Sequence, residues 1–364
     1  MPTAIVVGAG IAGLAAARAL ADGGYDVRVL EREPTLRAQG TGLTLWPNAG
    51  RALRSLSLEA VVLKHGSTIR EGATRAPDGR ILTQLPIAEI ERRHGQLRSV
   101  HRAEFLTALA EASGTRVEFG QPVMVSGGAL RAGDEPLEAD LLVGADGIGS
   151  VVRELVAPGI RPRPAGYGAW RAVTPAGASP LAPAGAFETT GRGRRFGLVG
   201  LTEGRTYWFA ALPDPAGARA DLRRAFTGWH DPISDALDAT PESARTWQPI
   251  GDLPRLPRWH RGDVVLIGDA AHAMTPNLGQ GAAQALEDVA ALHGALTRHR
   301  HLADALRAYE AERKRRAERI VTLSRAMGWL LQGSSPLLAS IRDALASHTP
   351  QAVLIRQFDA VLGA

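Results

Sequence analysis

Apolar residues in this chain cluster in short runs that end at glycine-containing turns, and this pattern predicts buried strands. Such runs occupy residues 4–7, 141–144 and 264–267. The first leads into an alanine-rich helix that extends to about residue 21. The third leads, through a loop with proline and glycine, into a helix that begins near Gly281. Alternating strands and helices of this kind are typical of a parallel sheet covered by crossover helices.

The middle of the chain follows a different pattern. Residues 165–250 lose the strand–helix alternation and contain short aromatic and β-branched runs at 167–173, 195–201 and 206–212. These runs predict strands of an antiparallel sheet. Residues 67–85 alternate around Pro77, Asp78 and Gly79, which predicts a hairpin outside any βαβ unit. Further elements are predicted as helices at 49–56, 100–112, 150–155, 218–229, 233–239 and, mostly, after 303, and as strands at 25–30, 117–125 and 128–131.

These patterns predict an α/β fold in which an antiparallel sheet is inserted into a Rossmann-like nucleotide-binding domain. The nucleotide-binding domain is assigned to residues 1–66, 97–164 and 251–330, and the sheet domain to residues 67–96 and 165–250. Residues 331–364 are assigned to C-terminal helices. Because pockets form preferentially between domains, the substrate is expected between the sheet and the loop after Asp269.

Composition excludes several classes of site. The chain has no cysteine, which removes disulfides, thiolate nucleophiles and cysteine-ligated metals, and its ten histidines show no metal-ligand spacing. No apolar run approaches the roughly 18 residues of a membrane span. The apolar run at 4–7 leads straight into a glycine turn, unlike a signal peptide. We therefore expect a cytoplasmic protein without a metal site or membrane insertion.

The net charge of +5 does not indicate nucleic-acid binding, because arginine is scattered along the chain. The one dense basic run, at 313–316, lies on a predicted helix that also carries Glu310, Glu312 and Glu318. This run is interpreted as a solvated helix face. The diffuse positive field would help to attract an anionic nicotinamide cofactor.

The N-terminal turn carries a dinucleotide-binding fingerprint in its full context. Gly8, Gly10 and Gly13 follow the first strand and open the first helix, and Glu31 ends the second strand. Such glycines permit a tight turn and the close approach of a pyrophosphate, while the acid accepts hydrogen bonds from the adenosine ribose. The fingerprint does not distinguish FAD from NAD.

Three further positions suggest contacts to a cofactor. The helix near Gly281 points unpaired N–H groups at its preceding loop, which favours a phosphate or a cofactor ring that gains negative charge on reduction. Arg102 lies in the first turn of its helix, where a cation opposes the helix dipole, so it is either a cofactor ligand or a surface residue. Asp146 is either a turn former or a functional acid.

Four segments together resemble the class A flavoprotein monooxygenases, the FAD-dependent aromatic hydroxylases related to para-hydroxybenzoate hydroxylase. They are GAGIAG at 8–13 with Glu31, VHRAEF at 100–105, GADGIGSVVR at 144–153 and GDAAHAMTPNLGQGAAQALED at 268–288. WPN at 46–48, GRTYWF at 204–209 and GQGAAQALED are most similar to the urate-hydroxylase-like and zeaxanthin-epoxidase-like branches. Ala282 and Ala283 depart from a common form of the pattern, which has asparagine near these positions.

The resemblance implies roles for individual residues. The nucleotide-binding domain becomes an FAD-binding domain, with the cofactor held by Gly8, Gly10, Ala12, Gly13, Glu31, Arg32, Thr44, Arg102, Asp146, Asp269, Leu278, Gly279, Gln280, Gly281 and Ala282. The substrate pocket is assigned to Leu45, Phe209, Met274 and Pro276, and Arg205 and Tyr207 are assigned the catalytic role of orienting or deprotonating the substrate. His272 is interpreted as a loop histidine bonded to backbone rather than as a base.

The resemblance also implies the reaction. NADPH or NADH reduces FAD, O2 adds to give a C4a-hydroperoxyflavin, and one oxygen atom is transferred to an aromatic or heteroaromatic small molecule. The N–H groups at the start of the helix near Gly281 would then stabilise the reduced ring. Alternatives are epoxidation of an isoprenoid, dehydrogenation without oxygen insertion, and a non-catalytic flavin-binding redox sensor. The protein is expected to be a monomer or homodimer.

Overall fold

The computed structural model describes residues 1–36, 41–133, 135–181, 184–213 and 221–363. Within these ranges the strands are β1 Thr3–Val7, β2 Asp26–Glu31, β3 Gly42–Leu45, β4 Gly66–Thr68, β5 Glu71–Arg75, β6 Ile81–Gln84, β7 Arg98–His101, β8 Val117–Phe119, β9 Val123–Ser126, β10 Ala129–Ala132, β11 Glu135–Pro136, β12 Leu141–Gly144, β13 Arg163–Val173, β14 Gly185–Thr190, β15 Arg195–Gly200, β16 Thr206–Pro213, β17 Thr246–Asp252, β18 His260–Arg261 and β19 Val264–Leu266. The helices are α1 Ile11–Asp22, α2 Pro47–Ser55, α3 Glu59–His65, α4 Ile87–His94, α5 Arg102–Ser113, α6 Arg153–Val156, α7 Leu222–Ala225, α8 Ile233–Ala239, α9 Asp269–His272, α10 Gly281–Arg298, α11 Leu302–Leu331, α12 Pro336–His348 and α13 Gln351–Leu362. Short 3₁₀ helices cover Glu242–Ala244 and Pro276–Leu278.

The three apolar runs form neighbouring strands of one sheet, as predicted. The sheet has the order β18-β19-β12-β1-β2-β8, and its strands are parallel except for the β18–β19 pair. β1, β12 and β19 are almost wholly buried, because helices cover both faces of a parallel sheet. Their carboxyl ends meet at one edge, which therefore carries Gly8, Asp146 and Asp269 together.

A second sheet of seven strands has the order β17-β13-β16-β15-β14-β5-β6. The hairpin expected around Pro77 to Gly79 is present as β5 and β6, and β13, β15 and β16 match the predicted runs. β14 and β17 were not predicted. The sheet is antiparallel except for β14 and β5, which pair in parallel. These two strands come from separate segments of the chain, so no hairpin constrains their direction.

Several predicted boundaries are wrong for local reasons. The helix expected at 100–112 begins at Arg102, because residues 98–101 form β7, which pairs with β3 and β4. The strand expected at 117–125 is split into β8 and β9, since Gly120 adopts a φ of +67° between them. α6 is shorter than the helix predicted at 150–155. Of the helix expected at 218–229, the described part forms α7 over Leu222–Ala225, and residues 218–220 lie outside the described ranges. Gly40, of the GTGLTLWPN segment, also lies outside them.

The helices expected after residue 303 are present as α11, α12 and α13. α13 returns to the first domain, where the ring of Phe358 lies 5.5 Å from that of Trp46. The basic run on α11 does not form a solvated face as predicted. Arg313 is buried, because that side of α11 packs against α10, and only Arg315 of the run is fully exposed. Across the described ranges, no helix has both the length and the apolar character needed to cross a membrane.

Candidate cofactor and substrate site

The three glycines of the N-terminal turn are each required for a different physical reason. Gly8 has a φ of +104°, and a Cβ there would lie 2.6 Å from the carbonyl oxygen of Ala145. A Cβ at Gly13 would overlap the carbonyl oxygen of Gly8, so this glycine lets α1 pack closely against β1. A Cβ at Gly10 would meet no protein atom within 4 Å. Gly10 therefore borders open space, where a ligand can approach the backbone.

Glu31 is held by backbone at the end of β2. Its carboxylate accepts hydrogen bonds from the N–H groups of Ala9, at 2.8 Å, and Glu33, at 3.0 Å. These bonds fix the carboxylate beside the glycine turn, where an adenosine ribose would lie if a dinucleotide occupied the turn.

A cavity of about 350 Å³ opens at this edge of the parallel sheet. It brings together six of the predicted cofactor residues, namely Gly8, Gly10, Glu31, Arg32, Arg102 and Asp146. Ala12 and Gly13 lie in α1 beneath it, Thr44 is half-buried in β3, and Asp269 and residues 278–282 lie outside its lining. The cavity therefore lies where the adenosine and pyrophosphate end of a dinucleotide would bind.

The turn after β12 presents a carboxylate with one unused oxygen. Asp146 Oδ2 accepts hydrogen bonds from the N–H groups of Val151, at 2.7 Å, and Val152, at 3.3 Å. Its Oδ1 is buried and has no partner. Burial raises the pKa of Asp146, and these hydrogen bonds oppose the rise. A buried acceptor without a donor fits a ligand hydroxyl, such as one from the ribityl chain of FAD.

Asp269 begins α9 at the same sheet edge. Asp269 is an exposed residue, but the protein around its carboxyl group reduces the hydration of that group and raises its pKa. The charges of His272 and Arg102 oppose the rise. The buried Arg153 donates hydrogen bonds to the carbonyl oxygens of Ala270, at 3.2 Å, and Ile148, at 2.8 Å. Arg153 thus ties the Asp146 turn to the Asp269 helix.

His272 lies in α9 rather than in a loop, and its interpretation as a backbone-bonded histidine is wrong. Its Nε2 lies 2.5 Å from Oδ2 of Asp288, and both side chains are buried. The same Oδ2 accepts a hydrogen bond from the N–H of Gly268 at 2.8 Å. Burial would raise the pKa of Asp288, but His272 and Arg313 outweigh it, so the pKa lies below its ordinary value. Asp288 therefore joins α9, α10 and α11 as a carboxylate.

Residues 275–282, which we call the 275–282 loop, expose backbone at the start of α10. Gly279 adopts a φ of +61°, and a Cβ at Gly281 would meet no protein atom within 4 Å. The first turn of α10 has neither a side-chain cap nor an acidic residue. Its N–H groups are thus left for an acceptor outside the protein, as predicted from the helix start.

A buried network supports this loop from behind, and nothing in the sequence pattern indicated it. Asn48 Nδ2 donates to Oε1 of Gln280, at 2.9 Å, and to Oε1 of Glu287, at 2.6 Å. Arg313 Nε donates to Oδ1 of Asp288 at 2.9 Å, and Nη1 of Arg313 also pairs with Glu287. Asp288 and Glu287 raise the pKa of Arg313 against the effect of burial. The WPN segment thus supports the loop through Asn48, and Trp46 lies directly against Gly279.

The seven-stranded sheet turns one face toward this loop. On its other face Phe196, Trp208 and Ala210 pack against α7 and α8. The opposite face carries Tyr167, Arg171, Arg195, Tyr207 and Phe209, and we call it the site face. Tyr167 OH donates to Oδ1 of Asn277 at 3.0 Å, and a Cβ at Gly42 in β3 would overlap Tyr207. The site face therefore packs against β3 and the 275–282 loop, which is where the sequence places the substrate.

The predicted pocket and catalytic residues occupy different parts of this space. Phe209 and Met274 are half-buried and Pro276 is exposed, whereas Leu45 is 2% exposed within the core of the parallel-sheet domain. Tyr207 lies on the site face; burial raises its pKa, and the charges of Arg171 and Arg102 oppose the rise. Arg205 Nη1 donates to Oε1 of Glu104 in α5 at 2.6 Å, which joins the sheet to the parallel-sheet domain.

The cleft as a whole fits FAD. Gly10 and Gly281 each leave space in which a ligand can approach the backbone. The buried Oδ1 of Asp146 supplies a hydrogen-bond acceptor, and the uncapped start of α10 supplies N–H donors. The model of a family described as FAD binding domain matches residues 1–324.

Similar proteins cover almost the whole chain. It is 35% identical over 357 residues to the aurachin C monooxygenase/isomerase of Stigmatella aurantiaca, covering 94% of this chain and 93% of that protein. It is 33% identical over 367 residues to the 6-hydroxynicotinate 3-monooxygenase of Pseudomonas fluorescens, covering 92% and 93%. The crystal structure of Klebsiella pneumoniae HpxO complexed with FAD and uric acid matches with a TM-score of 0.89 and 30% identity, covering 99% of this chain and 97% of that one.

The family match, the similarity along the full chain and a cleft that fits the cofactor agree with one another. The chain belongs to the FAD-binding-domain family and, within it, to the class A flavin-dependent aromatic hydroxylases, and its cofactor is FAD.

Proposed function

We propose that this protein uses NAD(P)H and O2 to hydroxylate an aromatic or heteroaromatic small molecule. The observation that carries the proposal is the uncapped start of α10 at Gly281, across the site from the aromatic side chains of Tyr207 and Phe209. One wall therefore stabilises negative charge on a cofactor ring, and the other holds a flat substrate against it. The relatives named for 6-hydroxynicotinate and found with uric acid support a nitrogen heterocycle as the substrate.

FAD, when bound, would supply the redox chemistry by which two electrons from NAD(P)H reduce O2, so that one oxygen atom enters the substrate and the other leaves as water. The chain positions and shields that chemistry. Gly10 would let the backbone approach the pyrophosphate, Gly8 and Gly13 would keep the turn and α1 close-packed beneath it, and Glu31 would accept from the ribose. The N–H groups at the start of α10 stabilise the negative charge of the reduced ring. The site face and the 275–282 loop exclude bulk water.

The reaction is tested with purified holoenzyme, a panel of phenols and hydroxylated nitrogen heterocycles, and ¹⁸O₂. The expected result is substrate-stimulated NAD(P)H oxidation with one labelled oxygen atom in the product. A product oxidised without label would instead establish a dehydrogenase, and a labelled epoxide would establish an epoxidase. A yellow protein that oxidises no NAD(P)H with any member of the panel would favour a redox sensor and contradict the proposal.

Arg205 and Tyr207 are proposed to orient the substrate or remove its proton, and the contact of Arg205 with Glu104 calls for a matched control. Arg205→Ala and Glu104→Gln both break this ion pair, but only the first removes the guanidinium from the site. We expect Arg205→Ala to reduce kcat/KM well beyond the loss in Glu104→Gln. Equal losses in the two variants would mean that Arg205 only holds the sheet against α5.

A further inference from the structure

Arg195 and Arg171 lie on the site face of the seven-stranded sheet and Arg205 lies in the turn just before β16, and two of these three cations are paired with carboxylates. Arg195 Nη1 lies 2.9 Å from Oε1 of Glu188, and Arg205 Nη1 lies 2.6 Å from Oε1 of Glu104. The third is Arg171 in β13. Among the residues that the structure describes, no carboxylate pairs with Arg171, and its Nε–H is buried without a hydrogen-bond partner. The site face thus contains one half-buried cation without a counter-charge.

The position of Arg171 places this cation beside the aromatic wall of the site. In the antiparallel register of β13 and β16, Arg171 is directly opposite Phe209, and Val173 is opposite Tyr207. Directly opposed residues project from the same face of a sheet, so Arg171 and Phe209 are neighbours. Gly197 of β15 lies on the other side of Phe209, and a Cβ there would overlap the Phe209 ring. The Phe209 ring therefore covers Gly197 on the site face.

The same face is anchored to the cofactor side of the cleft on both flanks of Arg171. Toward one end, Tyr167 and Arg195 both donate hydrogen bonds to Oδ1 of Asn277, at 3.0 and 2.6 Å, within the 275–282 loop. Toward the other end, Tyr207 packs against Gly42 in β3. Arg171 lies between these two contacts along β13, so it projects toward the cofactor side of the cleft rather than toward α7 and α8 on the other face.

A buried guanidinium N–H without an acceptor is costly, because it has lost its water and gained no partner. Such groups in folded proteins are normally satisfied, and an exception inside a binding site indicates a missing acceptor. Arginine donates through a planar fork that matches the two oxygens of a carboxylate, or the oxyanion and adjacent acceptor of a deprotonated heterocycle. Phe209 and Tyr207, whose ring centroids lie 6.3 Å apart, offer aromatic surface for the ring of such a ligand.

We propose that Arg171 determines substrate specificity by binding the carboxylate or ring oxyanion of an anionic aromatic substrate. The proposal rests on the function proposed above, because it assigns the substrate class of that same site. Arg171 binds and orients the substrate; the oxidation itself is assigned to the cofactor.

The test measures binding to the oxidised holoenzyme, so that its result does not depend on turnover. Matched acids and amides serve as probes: 6-hydroxynicotinate with 6-hydroxynicotinamide, and 4-hydroxybenzoate with 4-hydroxybenzamide, titrated by the change in flavin absorbance or fluorescence. Wild-type protein is expected to bind at least one acid roughly 10- to 100-fold more tightly than its amide, the range expected for hydrogen bonds to a charged group. Arg171→Gln should abolish this preference, and Arg171→Lys should retain part of it.

Arg192→Gln is the matched control, because Arg192 is an exposed arginine in the turn between β14 and β15 of the same sheet. It removes the same charge from the protein and should leave the acid preference unchanged. Flavin content and thermal stability of each variant report whether the fold is intact. An acid-to-amide ratio that is the same in wild type and Arg171→Gln, or the absence of any preference for an acid in wild type, would overturn the proposal.

The two proposals can fail separately. If the acids bind through Arg171 but no member of the panel stimulates NAD(P)H oxidation, the anion site stands and the hydroxylase function is contradicted. If neutral arenes are hydroxylated with no contribution from Arg171, the function stands and the anion site is contradicted.

Discussion

Two helix starts face the cofactor cleft, and they are held in place by different means. α1 begins at Ile11 beneath a glycine turn, where Gly13 lets the helix approach the Gly8 carbonyl and Gly8 lies against Ala145. α10 begins at Gly281, where the loop rests on a buried side-chain network that includes Asn48 and Arg313. The first start is held by backbone packing, and the second by hydrogen bonds between distant segments.

This difference explains why the spacing of glycines in the sequence reveals what supports the start of α1, whereas no sequence motif reveals what supports the start of α10. Backbone packing at α1 needs only the absence of side chains at nearby positions, and a spacing of glycines records it. The support of α10 needs partners from α2 and α11, which lie more than 20 residues away on either side of Gln280. The two mechanisms predict different costs for substitutions at the two starts.

The largest effect is expected where the network would be left with unpaired buried charge. Arg313→Met removes the cation that pairs with the buried Asp288 and with Glu287. Breaking a buried ion pair from one side costs about 3–5 kcal/mol, so the free energy of unfolding should fall by that amount in urea denaturation. Arg315→Met, at an exposed position of the same helix, should change it little. Equal stability of the two variants would show that the network does not hold α11 against α10.

A smaller loss of stability is expected at the backbone-packed start. Gly13→Ala forces a methyl group against the Gly8 carbonyl, which belongs to the backbone and cannot rotate away as a side chain could. Overpacking of this kind costs about 1–3 kcal/mol, and the shift of α1 should also lower FAD content. Gly10→Ala is the matched control, because its methyl group meets no protein atom. We expect Gly10→Ala to unfold like wild type while binding FAD more weakly; a stability loss equal to that of Gly13→Ala would contradict the distinct roles of the two glycines.

The smallest effect on stability, combined with a clear effect on the cofactor, is expected at Gly281. A side chain there would enter open space, so Gly281→Leu should leave the unfolding free energy of the apoprotein within about 0.5 kcal/mol of wild type. The leucine would instead occupy the place of the cofactor ring and keep it from the N–H groups of α10. Titration of FAD and measurement of its reduction potential check this. Normal values for both would refute the assignment of this helix start to the flavin ring.

Much of the fold could be predicted because its elements depend on local pattern. The buried strands at 4–7, 141–144 and 264–267 were recognised from unbroken apolar runs, and β13, β15 and β16 from aromatic and β-branched residues. The sequence does not predict β14 and β17, because glycine, alanine, proline and acidic residues interrupt their strand-favouring Phe, Thr, Trp and Ile residues. The start of α5 was displaced, because the preceding residues pair with β3 and β4 instead of continuing the helix.

The errors at individual residues share one cause, which is that burial depends on the neighbouring element. Arg313 belongs to a run of basic residues with acids nearby, and only the packing of α11 on α10 reveals that it is buried. His272 was expected to bond to backbone, and Asp288, its true partner, comes from a different helix. The sequence does not predict Arg171 as a site residue, because its proposed role depends on Phe209, which lies opposite it in β16.

The sequence by itself therefore determines the outline of the cofactor site, because the glycine turn and the acid at the end of β2 depend on backbone geometry that a few adjacent residues control. It also indicates the helix start at Gly281, but the support of that start comes from distant segments. The tertiary structure, by contrast, decides which charged side chains are paired. Arg313 pairs with Asp288 and Glu287, Arg316 pairs with Glu287, and Arg171 has no carboxylate partner within the described ranges, because folding brings together residues that are far apart in the chain. Electrostatic pairing depends on distance in space, so the substrate-binding charge of this protein emerges only in the assembled fold.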